Sequence, residues 1–575
     1  MSKPIKTFIL SLSFCFLLLG CKQDQETSSR DSINILLPID PERINPIYDS
    51  RQVGREVYQY LYVPVADFHP ETLELFPILL KSIPSLKKDE DGKSYYEVEL
   101  IEDAKWTDGQ KVSAADYIFT IKAILLPLSS PKSWKSTLAN IQDISIDENN
   151  PNKIRVYANE DYMLAKEMVA TIFLAPKHQY KNNTVLDNLS LDEIKKMDDP
   201  NTLEGLAEFV DDFNEPKYYS KDILGNGPYK LDSWESGQSL SISKVENYWG
   251  DKYKDNPFLQ SNVSTMNFKI IEDEMTSITA LKDGALDVVK GLSAVNFDKL
   301  KEDFPEASYL NSPSPRYYFI AINNKNPLLS DKETRKALSK LVDVNAMIEN
   351  IEYGYGTVLT GPIHPSKAEY NEKLSSDIYN FEEAEILLKD AGWVDSNNNK
   401  IVDKEIEGKR EELELDFLIT GGKLGQKVAL VFQEEANKAG IKINIVTKDF
   451  KLIRDENLYT YDYDLAALAE SQDVIPVDPY RRWHSDNIKE RGSNQSGFKS
   501  QAADSLITLI RNEKDAKNRV RLFEEFHSII YDEQPVIFLF SPTQKIIVGP
   551  DFEGTVTAKR PGYLANTFKV KPEEK

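Results

Sequence analysis

Residues 413–447 read LELDFLITGGKLGQKVALVFQEEANKAGIKINIVT, and this stretch decides the fold class. Apolar residues alternate with polar ones at both ends, and this period of two predicts two strands, at Leu413, Leu415, Phe417 and Ile419 and again at Ile441, Ile443 and Ile445. Between them, from Gln426 to Ala439, apolar residues recur at helical spacing and Gly440 follows as a C-cap. A strand, a helix and a strand of this length predict a right-handed crossover and parallel pairing.

The loops after the predicted strands form a candidate binding edge. Leu465 to Ala469 predicts a third strand, which Glu470 to Asp473 follow, and Thr420 to Gly422 follow the first strand. Ligands of open parallel sheets bind beyond the carboxyl ends of the strands. Topology alone therefore places these two loops at the rim of a cleft.

Composition and charge exclude several classes of protein. The 575 residues include 41% hydrophobic and 28% charged positions, which is typical of a soluble, core-forming chain with several folding units. Lys and Arg total 70 against 93 Asp and Glu, for a formal net charge of −23. Binding to a nucleic-acid backbone by counterion release therefore has no electrostatic basis.

The first twenty residues are typical of a secretion signal. Lys3 and Lys6 precede an apolar run from Thr7 to Leu19 that is too short to span a bilayer comfortably. Leu18-Leu19-Gly20-Cys21 resembles the bacterial lipobox, in which the cysteine is acylated and becomes the new N-terminus, although Leu19 stands where a smaller residue is preferred. This resemblance implies lipidation of Cys21, and an ordinary secretion signal with a chance cysteine is the alternative.

Several short motifs have mainly structural explanations. Ser113 with Asp116 predicts a capping box, and Asn380 with Glu383 predicts a second one before a helix that Gly392 ends. Asp331 to Tyr353 carries one apolar stripe and predicts a helix. Gly225, Gly227 and Pro228 predict a tight turn that needs glycine dihedrals, and Gly284 predicts a helix C-cap.

Seven motifs in order resemble one family, the family 5 extracellular solute-binding proteins, which are the oligopeptide-, dipeptide- and nickel-binding components of ABC importers. The motifs run through nearly the whole chain after the lipobox. They are Tyr58 to Tyr62 with Pro77 to Pro84, Trp106 to Gly109 with Val112 to Asp116, Gly225 to Tyr229, Asn247 to Trp249, Leu281 to Asp287, Thr334 to Leu338, and Leu387 to Trp393.

The resemblance implies an α/β chain with the two-lobed, type II periplasmic-binding-protein-like fold and an extra subdomain inserted in the first lobe. The chain crosses between the lobes near Asn311 to Tyr317 and near Phe540 to Gln544. The implied units are a signal peptide at 1–20, a flexible tether at 21–31, lobe 1 at 32–61, 216–311 and 541–575, the inserted subdomain at 62–215, and lobe 2 at 312–540.

The same resemblance implies a monomer, anchored in a bacterial cell envelope by its acylated cysteine, that captures a small solute and delivers it to the permease and ATPase of an ABC importer. An oligopeptide is the expected ligand, and an oligosaccharide, a metal chelate, haem or a sensing role without transport are alternatives. Asp473 is the expected acceptor for a peptide's ammonium group. Further ligand-binding candidates are Asp478, Glu470, Ser471, Ser50, Arg51, Gln52, Tyr355, Arg481 and Trp483.

No motif for catalysis, a cofactor or a bound metal accompanies these candidates. The sequence lacks a Gly-x-Ser-x-Gly elbow, a His-Glu-x-x-His pair and a phosphate loop. We therefore expect that the protein is not an enzyme and binds no cofactor. The five histidines, His69, His178, His364, His484 and His527, are scattered along the chain, although they could converge in space. Asp395 to Lys400 is similar to the start of a calcium loop but lacks its glycine and its bidentate acid, so a solvated turn is the better interpretation.

Overall fold

Two large β-sheets organise the chain. A computed structural model describes residues 31–48, 51–127, 132–159, 162–200, 203–314, 316–375, 379–472 and 477–572. The first sheet has eight strands within this part of the chain, and the second has five. Each sheet has an apolar core on both of its faces, so the molecule has the two-lobed α/β architecture that the sequence predicts.

The first sheet combines strands from both ends of the chain. Ser32–Leu37 pairs in parallel with Thr265–Ile270 and with Val288–Lys290 at its centre. In spatial order the strands are Ser308–Pro313, Phe540–Val548, Val288–Lys290, Ser32–Leu37, Thr265–Ile270, Ser239–Lys244 and Tyr229–Glu235, with Gly356–Val358 also paired to Phe540–Val548.

The second sheet contains the unit predicted from residues 413–447. Its spatial order is Lys442–Thr447, Glu414–Ile419, Leu465–Ser471, Arg316–Ile322 and Val536–Phe538. The first two strands run parallel, with Leu415 opposite Ile443, and the helix Lys423–Lys438 connects them. The third strand also pairs in parallel with Glu414–Ile419. The predicted strand, helix and strand and the additional strand are therefore confirmed.

Most of the residues between the first helix and Tyr229 pack around a further large core, to which Ile47, Tyr48, Tyr248, Phe258 and Leu259 also contribute, and we call this segment the inserted layer. Its four-stranded sheet has the order Ser85–Lys88, Ser94–Glu99, Asn150–Ala158 and Ile141–Asp147. Among the described residues, three strand pairs lie outside the larger sheets: Ala66–Phe68 with Leu75–Pro77, Asp403–Ile406 with Lys409–Glu412, and Phe552–Glu553 with Lys569–Val570.

The helices cover the sheets and link their strands. The α-helices are Gln52–Leu61, Ala114–Leu125, Lys132–Leu138, Ala165–Ala170, Leu191–Lys196, Leu206–Phe213, Lys217–Ser220, Glu274–Lys282, Ala294–Asp303, Lys332–Lys340, Val344–Ile351, Phe381–Asp390, Lys423–Lys438, Phe450–Leu452, Tyr480–Trp483, Gln501–Asn512 and Ala516–Glu533. Ile453–Leu458 is a π-helix, and short 3₁₀ turns lie at Lys177–Gln179, Asn183–Leu186, Trp249–Lys252, Ser485–Asn487 and Ala565–Thr567.

Most of the predicted helix ends are confirmed, and one predicted helix is wrong. Asp116 accepts the Ser113 backbone N–H at 2.9 Å, and Asn380 accepts that of Glu383 at 3.0 Å. The predicted helix from Asp331 to Tyr353 is instead two helices, Lys332–Lys340 and Val344–Ile351. Asp343 starts the second helix by accepting the Ala346 N–H at 2.8 Å, and this local cap breaks the apolar stripe.

The two glycines before Tyr229 have a different role from the predicted one. Neither Gly225 nor Gly227 has a positive φ, so no left-handed turn requires them. A Cβ atom on Gly225 would lie 1.9 Å from the Leu61 carbonyl oxygen, and one on Gly227 would lie 2.5 Å from that of Tyr60. The motif therefore permits close backbone contact with the end of the first helix, where the Gly227 N–H donates to Leu61 at 2.9 Å. Gly284, in contrast, has φ +69° after Glu274–Lys282, as a C-cap requires.

The chain passes between the two sheets at two places that lie side by side. Ser308–Pro313 belongs to the first sheet, and Arg316–Ile322, three residues later, belongs to the second. On the return, Val536–Phe538 is in the second sheet and Phe540–Val548 is in the first, with only Leu539 between them. Two residues separate the strands at the first crossing, and one separates them at the second.

Candidate functional site

The parallel strands of the second sheet end at a common edge. Ile419, Thr447 and Ser471 are the last residues of the three strands that run in the same direction. Both loops that the sequence places at a cleft rim therefore follow strands that end here. Glu470 and Ser471 therefore lie at this edge, at the end of the strand Leu465–Ser471.

Glu470 is held in a polar cluster beneath the edge. Its carboxylate accepts the Tyr317 hydroxyl at 2.9 Å and pairs with the Arg482 guanidinium at 2.7 Å. Burial, and then the charge of Glu470, raises the pKa of the Tyr317 hydroxyl well above its usual range, so Tyr317 remains a donor at neutral pH. The charge of Glu470 is thus largely compensated inside the protein.

The next residues along the strand change from exposed to buried. Ser471 is exposed and lies opposite Arg316 in the sheet. Gln472 is 5% exposed and accepts the His364 backbone N–H at 3.3 Å, while its amide nitrogen donates to the Pro362 carbonyl. Asp473, the expected ammonium acceptor, lies outside the described residues.

Asp478 pairs with an arginine near a contact between the lobes. Its carboxylate accepts the Tyr480 backbone N–H at 3.0 Å and lies 3.1 Å from Arg511 Nε. The Arg511 guanidinium also lies 4.4 Å above the Tyr480 ring. Burial, followed by the charge of Asp478, raises the pKa of Tyr162, a residue of the inserted layer that therefore lies close to this cluster.

Met163 strengthens the contact between the lobes. Its side chain packs against the core that contains Trp483 and Phe538, although Met163 itself follows the four-stranded sheet of the inserted layer. Together with Tyr162 it brings the inserted layer against the second lobe. The structure therefore has the inserted layer in contact with the second lobe.

Arg481 and Trp483 have opposite environments on the same short helix. Arg481 is exposed at the surface, with its carbonyl accepting the Ser493 hydroxyl. Trp483 is 3% exposed, and its ring lies 6.2 Å from that of Phe538 and 6.3 Å from that of Phe498. Trp483 is thus a core residue in this structure, whereas Arg481 is available to a ligand or to solvent.

The candidate loop before the first helix is described only in part. Ser50 lies outside the described residues. The Arg51 guanidinium pairs with Glu42 at 2.8 Å, and Gln52 is the first residue of the helix Gln52–Leu61. The amides in the first turn of a helix have no partner within the helix, so the Gln52 backbone can still donate to a ligand even though it is helical.

Tyr355 is half-buried and connects the second lobe to the first. Its hydroxyl contacts Asp298 and Lys301, which both belong to the helix Ala294–Asp303 behind the first sheet. Its ring packs edge-on against Phe297 at 5.5 Å. Nearby, Lys545 of the first sheet pairs with Glu352 at 3.3 Å. Tyr355 therefore belongs to a contact near the chain crossings.

Residues that could hold a metal do not converge in the described part of the chain, where no group of three or more His, Cys, Asp and Glu side chains has suitable geometry. In the loop similar to a calcium site, Asp395 accepts the backbone N–H groups of Asn399 at 3.1 Å and Lys400 at 3.0 Å. These carboxylate oxygens therefore stabilise the turn itself. Within the same described residues, no helix has the length and apolar character needed to span a membrane.

One buried cluster was missed by sequence reasoning. His364 Nε2 lies 2.9 Å from Ser541 Oγ, although the two residues are 177 positions apart. His364 was recognised only as one of five scattered histidines, and Ser541 only as part of a connecting segment. Periodicity and spacing carry no signal for such a distant contact.

The fold and this edge define a two-lobed α/β binding protein, and comparisons with known proteins identify its family. The sequence model described as "Bacterial extracellular solute-binding proteins, family 5 Middle" matches residues 74–489. The oligopeptide-binding protein AppA of Bacillus subtilis is 25% identical over 521 residues, which cover 90% of this chain and 87% of AppA. The chain therefore belongs to the bacterial extracellular solute-binding proteins of family 5.

Solved structures agree on the fold. The structure of AppA from Bacillus subtilis in complex with a nonapeptide has a TM-score of 0.69 at 22% identity, covering 94% of this chain and 99% of that one. NikA from Brucella suis in complex with Fe(III)-EDTA has a TM-score of 0.74 at 19% identity, covering 94% of this chain and 100% of that one. The two-lobed type II fold is thus shared with proteins described with different ligands.

Proposed function

We propose that this protein captures an oligopeptide between its two lobes and delivers it, chemically unchanged, to the permease and ATPase of an ABC importer. The family match over residues 74–489 is the observation that carries the proposal. AppA, a relative that covers most of the chain, is described as an oligopeptide-binding protein. We further propose that the chain is a monomer, anchored through acylated Cys21 and facing the periplasm or the cell exterior.

The charges at the strand edge support a ligand with a free ammonium group. Three acids follow or end the strand Leu465–Ser471, namely Glu470, Asp473 and Asp478. Glu470 is paired with Arg482, and Asp478 is paired with Arg511. The proposal assigns the ammonium contact to Asp473, as the resemblance to oligopeptide-binding members implies, and Asp473 directly follows the buried Gln472 in the chain.

Closure gives this contact its strength. A charge-assisted hydrogen bond is about twice as strong as a neutral one, and exclusion of water by the closing lobes strengthens it further. Ligand binding and lobe closure are then thermodynamically linked, because the ligand stabilises the arrangement in which both lobes contact it. The lobe boundaries at 311/312 and 540/541 remain a prediction of this account.

Calorimetry with a nonapeptide and its N-acetylated form tests the ammonium contact. Asp473→Ala should weaken binding of the free peptide by about 1–3 kcal/mol, which is the cost of losing a buried hydrogen bond to a charged group. The acetylated peptide is the matched control, since it should bind more weakly to the unmodified protein and lose nothing further with Asp473→Ala. Equal losses for both peptides would reject the role of Asp473.

Absence of nonapeptide binding to the unmodified protein would instead reject peptide capture itself. A metal chelate would then be the next ligand to test, because NikA, which shares the fold, is described with Fe(III)-EDTA. Release of shortened peptide after incubation would contradict the proposal that bound ligand is left intact.

A further inference from the structure

A single serine connects both chain crossings between the lobes. Ser541 lies at the start of Phe540–Val548, on the return crossing, and is 2% exposed. Its Oγ lies 2.7 Å from the carbonyl oxygen of Ser314 and 2.7 Å from that of Arg316, on the first crossing. Because carbonyl oxygens only accept, the single hydroxyl hydrogen of Ser541 is shared between them. Ser541 thus fixes one crossing strand against the other.

His364 extends this link into the second lobe. Since the Ser541 hydrogen is already used, the bond of 2.9 Å between His364 Nε2 and Ser541 Oγ requires a hydrogen on Nε2. The other ring nitrogen agrees, because Nδ1 accepts the Ser366 backbone N–H at 3.1 Å. The two ends of the imidazole therefore assign the same neutral tautomer independently. His364 is 4% exposed, so water cannot easily replace either bond.

Gln472 completes the connection to the binding edge. It accepts the His364 backbone N–H at 3.3 Å and donates to Pro362, so it joins the loop that carries His364 to the end of the strand Leu465–Ser471. The resulting chain of buried hydrogen bonds runs from both crossings, through Ser541 and His364, to Gln472. All three side chains are 5% exposed or less.

We propose that His364 is a positioning residue that couples the angle between the lobes to the binding edge, through its Nε2–H bond to Ser541 and its backbone bond to Gln472. This role deepens the proposed function, because it lets a ligand at the edge bias the crossings. His364 makes these bonds in the same arrangement in which Tyr162 and Met163 contact the second lobe, so we infer that its bonds favour that arrangement. Loss of its bond to Ser541 shifts the apo protein towards separated lobes.

Two substitutions of His364 test the contributions of its two ring nitrogens separately. Asn in place of His364 offers an acceptor near the position of Nδ1 but reaches no further, so His364→Asn removes the bond to Ser541. Gln offers a donor near the position of Nε2, so His364→Gln retains that bond. His527→Asn is the matched control, because His527 is also fully buried but contacts Thr360 and Asn371 in the second lobe alone.

Distances between spin labels in the apo protein test the proposal without any ligand. Labels at Met275 and Leu430 report on the first and second lobes, and both side chains are more than half exposed, at 57% and 58%. The processed chain with Cys21→Ser leaves these engineered cysteines as the only thiols, since Cys15 lies in the predicted signal.

His364→Asn should shift the ratio of separated to contacting lobes by about fivefold, which corresponds to the net value of one hydrogen bond. His364→Gln and His527→Asn should leave the distance distribution as in the unmodified protein. An unchanged distribution in His364→Asn would overturn the proposal, and so would an equal shift in all three variants. If His364→Asn does not fold, Ser541→Ala removes the same bond from the other side, together with the bonds to the Ser314 and Arg316 carbonyls, and must give a shift in the same direction that is at least as large.

Nonapeptide titration of the same variants forms a separate arm. The affinity of His364→Asn for the peptide should fall by up to fivefold, in proportion to the loss of the contacting population that the spin labels report, while His364→Gln retains it. Failure of the unmodified protein to bind peptide would reject the proposed ligand and leave the apo result to decide the role of His364. Peptide affinity in His364→Asn equal to that of the unmodified protein, with peptide binding established, would overturn the coupling.

Discussion

Acid should destabilise this protein through two buried histidines in the second lobe. His364 and His527 are 4% and 0% exposed, and burial lowers the pKa of each imidazole from 6.5 to about 4. His527 accepts the Asn371 backbone N–H through Nδ1 at 3.3 Å, as His364 accepts that of Ser366. Protonation of either ring would therefore place a new N–H against an existing donor and a charge inside the core.

The sign and size of the effect follow from the two pKa values. A folded-state pKa below the unfolded one means that the unfolded chain binds more protons between pH 4 and 6.5, so stability is fully present above pH 6.5 and is lost as the pH falls towards 4. This difference between the folded and unfolded pKa values corresponds to about 3 kcal/mol of unfolding free energy for each histidine. About 2 kcal/mol of it is lost by pH 5.

Urea unfolding at pH 7 and pH 5 measures this loss. Carboxylates also titrate in this pH interval. The informative quantity is therefore the change in unfolding free energy between pH 7 and pH 5, compared between the unmodified protein and a variant. His364→Gln and His527→Gln should each reduce the loss of unfolding free energy between the two pH values by about 2 kcal/mol, and the double variant by about twice as much. A pH dependence equal to that of the unmodified protein in both variants would refute the assignment of neutral, buried imidazoles.

Three further substitutions test the fold. Gly225→Ala should destabilise by about 1–3 kcal/mol in urea unfolding, because the new Cβ would overlap the Leu61 carbonyl, and unchanged stability would contradict that close contact. Asp343→Ala should cost about 1 kcal/mol by removing the cap at Ala346, and circular dichroism would show whether the second of the two helices shortens. Arg335→Met should cost about 3 kcal/mol or more, since its buried guanidinium donates to four backbone carbonyls, and a neutral result would reject that role.

Local patterns predicted the second lobe well because its sheet is built from contiguous signals. Alternation in Leu413 to Ile419 and Ile441 to Ile445 specifies strands, and the helix between them fixes their parallel direction. The predicted helix from Asp331 to Tyr353 failed because Asp343 caps a second helix within the apolar stripe. A hydrogen bond from the backbone to a nearby Asp side chain can end one helix and start another, and the spacing of apolar residues does not reveal it.

The candidate site was harder to predict because its members are distant in sequence. The strand edge followed from topology, but the environment of Glu470 depends on its ion pair with Arg482 and on the hydroxyl of Tyr317, which is 153 positions away. Trp483 was a reasonable aromatic pocket candidate, yet its ring lies in the core beside Phe538. The link between His364 and Ser541 likewise depends on tertiary packing that no local pattern encodes.

Native mass spectrometry of the protein purified without refolding tests the central proposal most directly. The account predicts a copurified solute with the mass of an intact peptide that carries a free amino terminus and is released when the protein is unfolded. A bound metal chelate, an oligosaccharide or cleavage products of an added peptide would contradict it.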